Sequence, residues 1–187
     1  MKSPRIRAVV SIALALAVVL IGWSQVWFTI AVDGGAIDVS GAAAAGAVLA
    51  LTLAGAALTA AIALVGPKLR VAFGVLLLLA GVGITVISIA IIADPSSVFA
   101  SVLATETGLS GTAAIESIEG AERTVWPIFC ALGGAAAAVF GFVVVRTSSR
   151  WPAVGRRYER RSKGASDSAV DRWDALSEGE DPTADDR

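Results

Sequence analysis

The 187 residues are 56% hydrophobic with a mean hydropathy of +0.75, well above the roughly 45–50% apolar share of a soluble domain, which places the chain in the membrane class. Net charge is only −1, yet the charged residues fall in a few blocks separated by long uncharged stretches. Histidine is absent and Cys130 is the one cysteine, which excludes an intrachain disulfide, a cysteine-based zinc site, Ser-His and Cys-His nucleophile pairs, and the HExxH metalloprotease helix.

Four stretches carry no charge: residues 8–32, 39–67, 71–93 and 124–145. Each exceeds the roughly 20 residues that a helix rising about 1.5 Å per residue needs to cross a hydrocarbon core about 30 Å thick. The first follows Lys2, Arg5 and Arg7 as a signal peptide would. It outruns the usual 7–15 residue apolar region and has no small-residue cleavage site ahead of Trp23, Trp27 and Phe28, so an uncleaved first span is expected. The predicted spans are about 8–30, 41–65, 71–93 and 124–146, within a transmembrane domain of residues 1–146.

Fourteen of the fifteen Lys and Arg residues fall on one side of these spans, and Arg123 alone falls on the other. The positive-inside rule makes the basic side cytoplasmic, with both termini there. The first outer loop contains Phe28 to Val32 and Ala36 to Val39 around Asp33-Gly34-Gly35, a pattern that predicts a small hairpin. Alone it is marginal, so it must pack on the second outer loop or on the membrane. In that second loop Asp94-Pro95 reads as an N-cap followed by proline at the first helical position. Residues 112–120 read as a further short helix, on which Glu116, Glu119 and Glu122 form a solvated acidic face. The inner connection, residues 66–70, is a tight turn that makes spans two and three antiparallel neighbours.

Apart from Arg146 at the very end of the fourth, the predicted spans hold no Asp, Glu, Lys, Arg or His, which argues against a proton- or ion-coupled pump. Small residues at Gly41, Ala45 and Gly55, and at Gly133, Ala137 and Gly141, let helices approach closely in lipid. The first reading is packing within this bundle, and the alternative is homodimerisation or docking to another membrane protein. Trp23, Trp27, Trp126 and Trp151 stand near span ends and read as membrane-interface anchors. An indole-lined site is the competing reading.

Residues 147–187 form a predicted cytoplasmic tail, largely disordered and split in charge. Its basic part, residues 146–163, carries Arg146, Arg150, Arg156, Arg157, Arg160, Arg161 and Lys163 against only Glu159, and is expected to lie on the anionic lipid of the inner leaflet, at about 1 kcal/mol per basic residue. Residues 164–187 are acidic and are expected to stand away from it. Within them Ser168 can cap a short helix on which Val170, Trp173 and Leu176 share a face, followed by Asp181-Pro182. That pattern predicts docking of a soluble partner.

The fold class is therefore an all-α membrane protein: a four-transmembrane-helix bundle with a small outer hairpin and helical cap. No catalytic, metal or cofactor-binding residue is identified, no cofactor and no nucleic-acid partner is implied, and the chain is not expected to be an enzyme. Trp27-Phe28-Thr29-Ile30, Val39-Ser40-Gly41, Trp126-Pro127, Trp151-Pro152, Arg157-Tyr158-Glu159 and above all Trp173-Asp174-Ala175-Leu176-Ser177-Glu178-Gly179-Glu180-Asp181-Pro182-Thr183 resemble the tryptophan-biosynthesis-associated membrane proteins of actinobacteria. The resemblance implies a gene neighbourhood among tryptophan-synthesis enzymes. Two functions are compatible with it: an accessory or scaffold protein that recruits a cytoplasmic enzyme through the tail, and, alternatively, a transporter or sensor of tryptophan, indole or a related aromatic compound.

Overall fold

The computed structural model describes residues 4–32, 35–108, 118–148 and 173. The chain divides into two units, Met1–Trp151 and Pro152–Arg187. In the first unit the order is α1 (Pro4–Ser24), β1 (Val26–Val32), β2 (Gly35–Ser40), α2 (Gly41–Ala44), α3 (Gly46–Leu64), α4 (Pro67–Ala93), α5 (Ser96–Thr107), β3 (Ile118–Arg123) and α6 (Trp126–Thr147). Four of these helices are long and apolar enough to cross a membrane: α1 from Ile6, α3, α4 and α6. The protein is a multi-pass membrane protein.

The spanning helices form a ring in which α1 touches α3 and α6, α4 touches the same two, and the α4–α6 seam is the most extensive. Their outer surfaces are apolar because lipid is their solvent: Leu14, Leu79, Val86, Leu132 and Val139 are all more than half exposed. The buried threonines of α3 bond to their own helix. Thr52 donates to the Val48 carbonyl at 2.6 Å and Thr59 to that of Gly55 at 2.7 Å, so neither hydroxyl is left unsatisfied where water is absent. One core cluster, around Ile12, Leu16, Ile62, Leu77 and Val144, fills the end of the bundle that holds the start of α1 and the end of α6. A second, around Val19, Val48, Ile84 and Cys130, continues without interruption into the cap.

The cap is a three-stranded antiparallel sheet, ordered β2-β1-β3, with α5 beside it. The expected hairpin is β1 and β2, paired from Phe28 with Val39 to Val32 with Gly35. It gains the support that an isolated hairpin lacks from β3, which pairs Phe28 with Arg123 and Thr29 with Glu122. Phe28, Ile30 and Val39 are buried together with Phe99 of α5, and the rings of Phe28 and Phe99 meet edge to face at 5.2 Å and 83°. Thr29, on the opposite face, donates to Asp38 Oδ1 at 2.8 Å.

Several boundaries differ from expectation. The first span stops at Ser24, not near residue 30, because β1 begins at Val26. The second is broken at Ala45, which separates the single turn of α2 from α3. The turn before the third span is only Val65-Gly66: Pro67 sits at the start of α4, where its fixed φ and missing N–H are tolerated. Helix α4 therefore takes in Lys68 and Arg70, and Arg70 is fully buried. Of the expected acidic helix over residues 112–120, residues 118–120 belong instead to the strand Ile118–Arg123, so Glu119 and Glu122 do not share a helical face. Glu122 lies opposite Thr29, while Glu119 falls at an irregularity in the pairing. Residues 109–117, including Glu116, lie outside the described residues. Helix α5 begins at Ser96, whose N–H donates to Asp94 Oδ1 at 3.1 Å, so Asp94 stands two residues before the helix. The Ser96 hydroxyl and this N–H hold the Asp94 carboxyl below the usual carboxylate range.

Phe28→Ala removes the ring on which α5 rests in a cluster shared with Cys130. The expected cost is about 3 kcal/mol. Thermal melting in detergent, followed by reaction of the buried Cys130 thiol with a fluorogenic maleimide, measures it.

Candidate functional site

The densest set of specific contacts is an aromatic corner where α1 leaves the bundle. A bulge in β1 sets Val26 opposite Ser40 and Phe28 opposite Val39, leaving Trp27 as the extra residue. Its indole is completely buried, and Nε1 donates to the Gly22 carbonyl at 2.8 Å. Trp23 is half-buried and donates from Nε1 to the Ala45 carbonyl at 3.1 Å, at the break between α2 and α3. Gly41 fits beneath both: a Cβ there would collide with the Trp23 carbonyl oxygen and lie 2.5 Å from Trp27 Nε1. The Gly41 N–H donates to the Gln25 carbonyl at 2.9 Å. Thr124 closes the corner, its hydroxyl on the Val26 carbonyl at 2.7 Å and its N–H on that of Trp27 at 2.9 Å.

These contacts correct the anchor reading for Trp27, which meets neither lipid nor water. Trp126 is half-buried near the same end, its ring 5.8 Å from that of Phe129. Trp151 lies outside the described residues. Both corner indoles spend their N–H groups on backbone carbonyls, so the arrangement locks the cap to the bundle. Among the described residues no group of three or more His, Cys, Asp or Glu side chains could hold a metal ion.

The predicted small residues take separate places. Gly41 and Ala45 belong to the corner. Gly55 receives Leu16 of α1, with a Cβ there 3.2 Å from Leu16 Cδ2, and Gly133 receives Val19 of α1, at 2.7 Å from Val19 Cγ2. Ala137 is fully buried in the core, and Gly141 faces the backbone of α4, with Gly74 O at 3.0 Å from its Cβ position. The α4–α6 seam rests on a longer spacing than the four-residue pattern along α6. Gly74 and Gly81 of α4, seven apart, meet Gly141 and Gly134 of α6, also seven apart. Neither α4 glycine stood out in the sequence, and the matched seven-residue intervals are the signal that identifies them. Where the backbones meet, the Thr85 hydroxyl lies 2.9 Å from the Gly81 carbonyl and 3.3 Å from that of Ala131 across the seam.

At the opposite end, Arg70 donates from Nη2 to the Val65 carbonyl at 2.8 Å and the Ser148 hydroxyl donates to that of Pro67 at 3.0 Å. Arg146 is exposed over the Phe142 ring at 5.1 Å. Arg150, Arg156, Arg157, Arg160, Arg161 and Lys163 lie outside the described residues, as do Val170, Leu176, Asp181 and Pro182. Trp173 is described: it is helical in conformation and 73% exposed.

Residues 6–183 match the family of tryptophan-associated transmembrane proteins, and the chain belongs to that family. No curated protein and no solved structure matches it.

A Cβ at Gly81 would lie 2.5 Å from Ala138 N and 2.7 Å from Gly134 O, both backbone atoms, whereas one at Gly83 meets only the Leu51 Cδ1 methyl at 3.1 Å. Gly81→Ala is expected to destabilise the bundle by about 1–3 kcal/mol. Gly83→Ala is expected to be neutral, or stabilising by up to about 1 kcal/mol through helix propensity. Parallel melts of the two variants check the difference.

Proposed function

We propose that this tryptophan-associated transmembrane protein is a non-enzymatic accessory protein of tryptophan biosynthesis. The bundle anchors it, the basic segment of residues 146–163 rests on anionic inner-leaflet lipid, and the acidic end of the tail recruits a cytoplasmic enzyme of the pathway. The observation that carries the reading is Trp173: a tryptophan 73% exposed on a helical residue offers the large apolar anchor that docking motifs use. Family membership supplies the tryptophan-related context. The aromatic-transport reading draws no support from the corner indoles, whose N–H groups already serve the backbone.

Affinity purification of the tagged full-length chain from native membranes in mild detergent is expected to recover a tryptophan-synthesis enzyme. Removal of residues 164–187, or Trp173→Ala, is expected to lower that recovery at least about tenfold, the scale of one hot-spot residue. Equal recovery with and without the segment refutes the docking proposal.

The one-sided distribution of Lys and Arg supports an orientation with both termini in the cytoplasm of a plasma-membrane protein. In a Cys130→Ser background, Ser177→Cys is expected to react with a membrane-impermeant maleimide only after the cells are opened. Labelling of intact cells would reverse the assignment.

A further inference from the structure

An apolar groove of about 630 Å³ runs between α3 and α4 on the lipid-facing side of the bundle. Its α3 wall includes Ala54, Ala57 and Ala61, and its α4 wall includes Phe73, Leu76 and Leu79. On α3 it extends from Leu51 to Ala61, about 15 Å at the helical rise, or half of a hydrocarbon core about 30 Å thick. On α4 the lining stops at Ala80, near the helix midpoint. The groove thus spans one leaflet, on the side of the α3–α4 turn.

Charge at the mouth of the groove selects the occupant. Lys68 is exposed at that end of α4, eleven residues before Leu79 and so on that residue's side of the helix, five residues before Phe73, where the α4 lining begins. It lies in the first turn of α4, where the helix dipole favours an anion and Gly66 provides no side-chain cap. A Cβ at Gly66 would meet nothing within 4 Å, so the approach is open. Every acidic residue among the described ones, Asp38, Asp94, Glu106, Glu119 and Glu122, belongs to the cap or its flanks at the other end of the bundle. We propose that the groove between α3 and α4 holds one acyl chain of an anionic phospholipid whose phosphate is met by Lys68 and the first turn of α4. This site belongs to the bundle itself and stands apart from the tail's attraction to lipid and from the docking proposal.

Native mass spectrometry of the full-length chain with added phosphatidylglycerol or phosphatidylcholine tests it. One phosphatidylglycerol is expected to be retained in preference to phosphatidylcholine. Lys68→Ala is expected to lower its occupancy about fivefold, the scale of one lysine at an anionic surface, while Lys68→Arg retains it. Lys163→Ala, which removes one charge from the tail, is expected to leave occupancy unchanged. Ala57→Phe and Ala61→Phe, which narrow the groove, are expected to displace the same lipid in protein whose melting temperature is preserved. Lipid binding indifferent to Lys68 or to the groove variants overturns the proposal. So does a dimer that these variants dissociate, which would make a second copy the occupant.

Discussion

A backbone carbonyl within a membrane has no water to accept from, and leaving one unpaired costs several kcal/mol. The specific contacts of this protein gather where the regular helical ladder ends or breaks. Trp27 serves Gly22 near the end of α1, Trp23 serves Ala45 between α2 and α3, and Arg70 serves Val65 after α3. Each donor comes from a segment other than the helix whose carbonyl it satisfies, or from across a turn. Satisfying the backbone and assembling the tertiary structure are therefore the same event here. The buried Arg70 and the buried Trp27 each close one of these positions.

The bundle obeys a second constraint that follows from the first. Lipid supplies no hydrophobic force to press helices together, so contact must come from shape. At the α4–α6 seam the backbones approach within the space of a missing Cβ at Gly74, Gly81, Gly134 and Gly141, which brings Thr85 to the Ala131 carbonyl. An interhelical bond of this kind contributes on average only about 0.6 kcal/mol, so close packing of the two helices contributes more and the hydroxyl sets register. With this seam made, α1 rests on α6 through Gly133 and on α3 through Gly55, and the cap side of the core can continue from Ile84 and Cys130 up to Phe28 and Phe99.

These parts divide the protein's tasks. The bundle and cap are built from contacts that immobilise: buried indoles, backbone approaches and a sheet completed by residues more than 80 positions apart. Specific recognition is better sought at the other end, where charge and exposed apolar surface remain. Lys68 is exposed in the first turn of α4, at the end of the bundle away from the cap, and Trp173 is exposed in the second unit.

The sequence by itself determined the four spans, because hydropathy over about 20 residues is a local property that the membrane reads directly. It also determined the β1–β2 hairpin, whose Gly-containing turn and β-branched flanks are neighbours in the chain. The membership of β3 was hidden: Ile118 to Arg123 carries three charges, and only pairing with β1, tied down by Thr124, makes it a strand. The role of Trp27 was equally hidden, because a tryptophan at a span end reads as an anchor until a bulge turns it inward. Gly74 and Gly81 acquired meaning only once α6 lay against α4, and Arg70 passed for a turn residue until Pro67 proved to begin the helix. What only the tertiary structure decided were thus pairings between segments distant in the chain. Local pattern selects where a chain crosses the membrane, whereas the partner of each exposed carbonyl and each missing Cβ is set by whichever segment folding brings beside it.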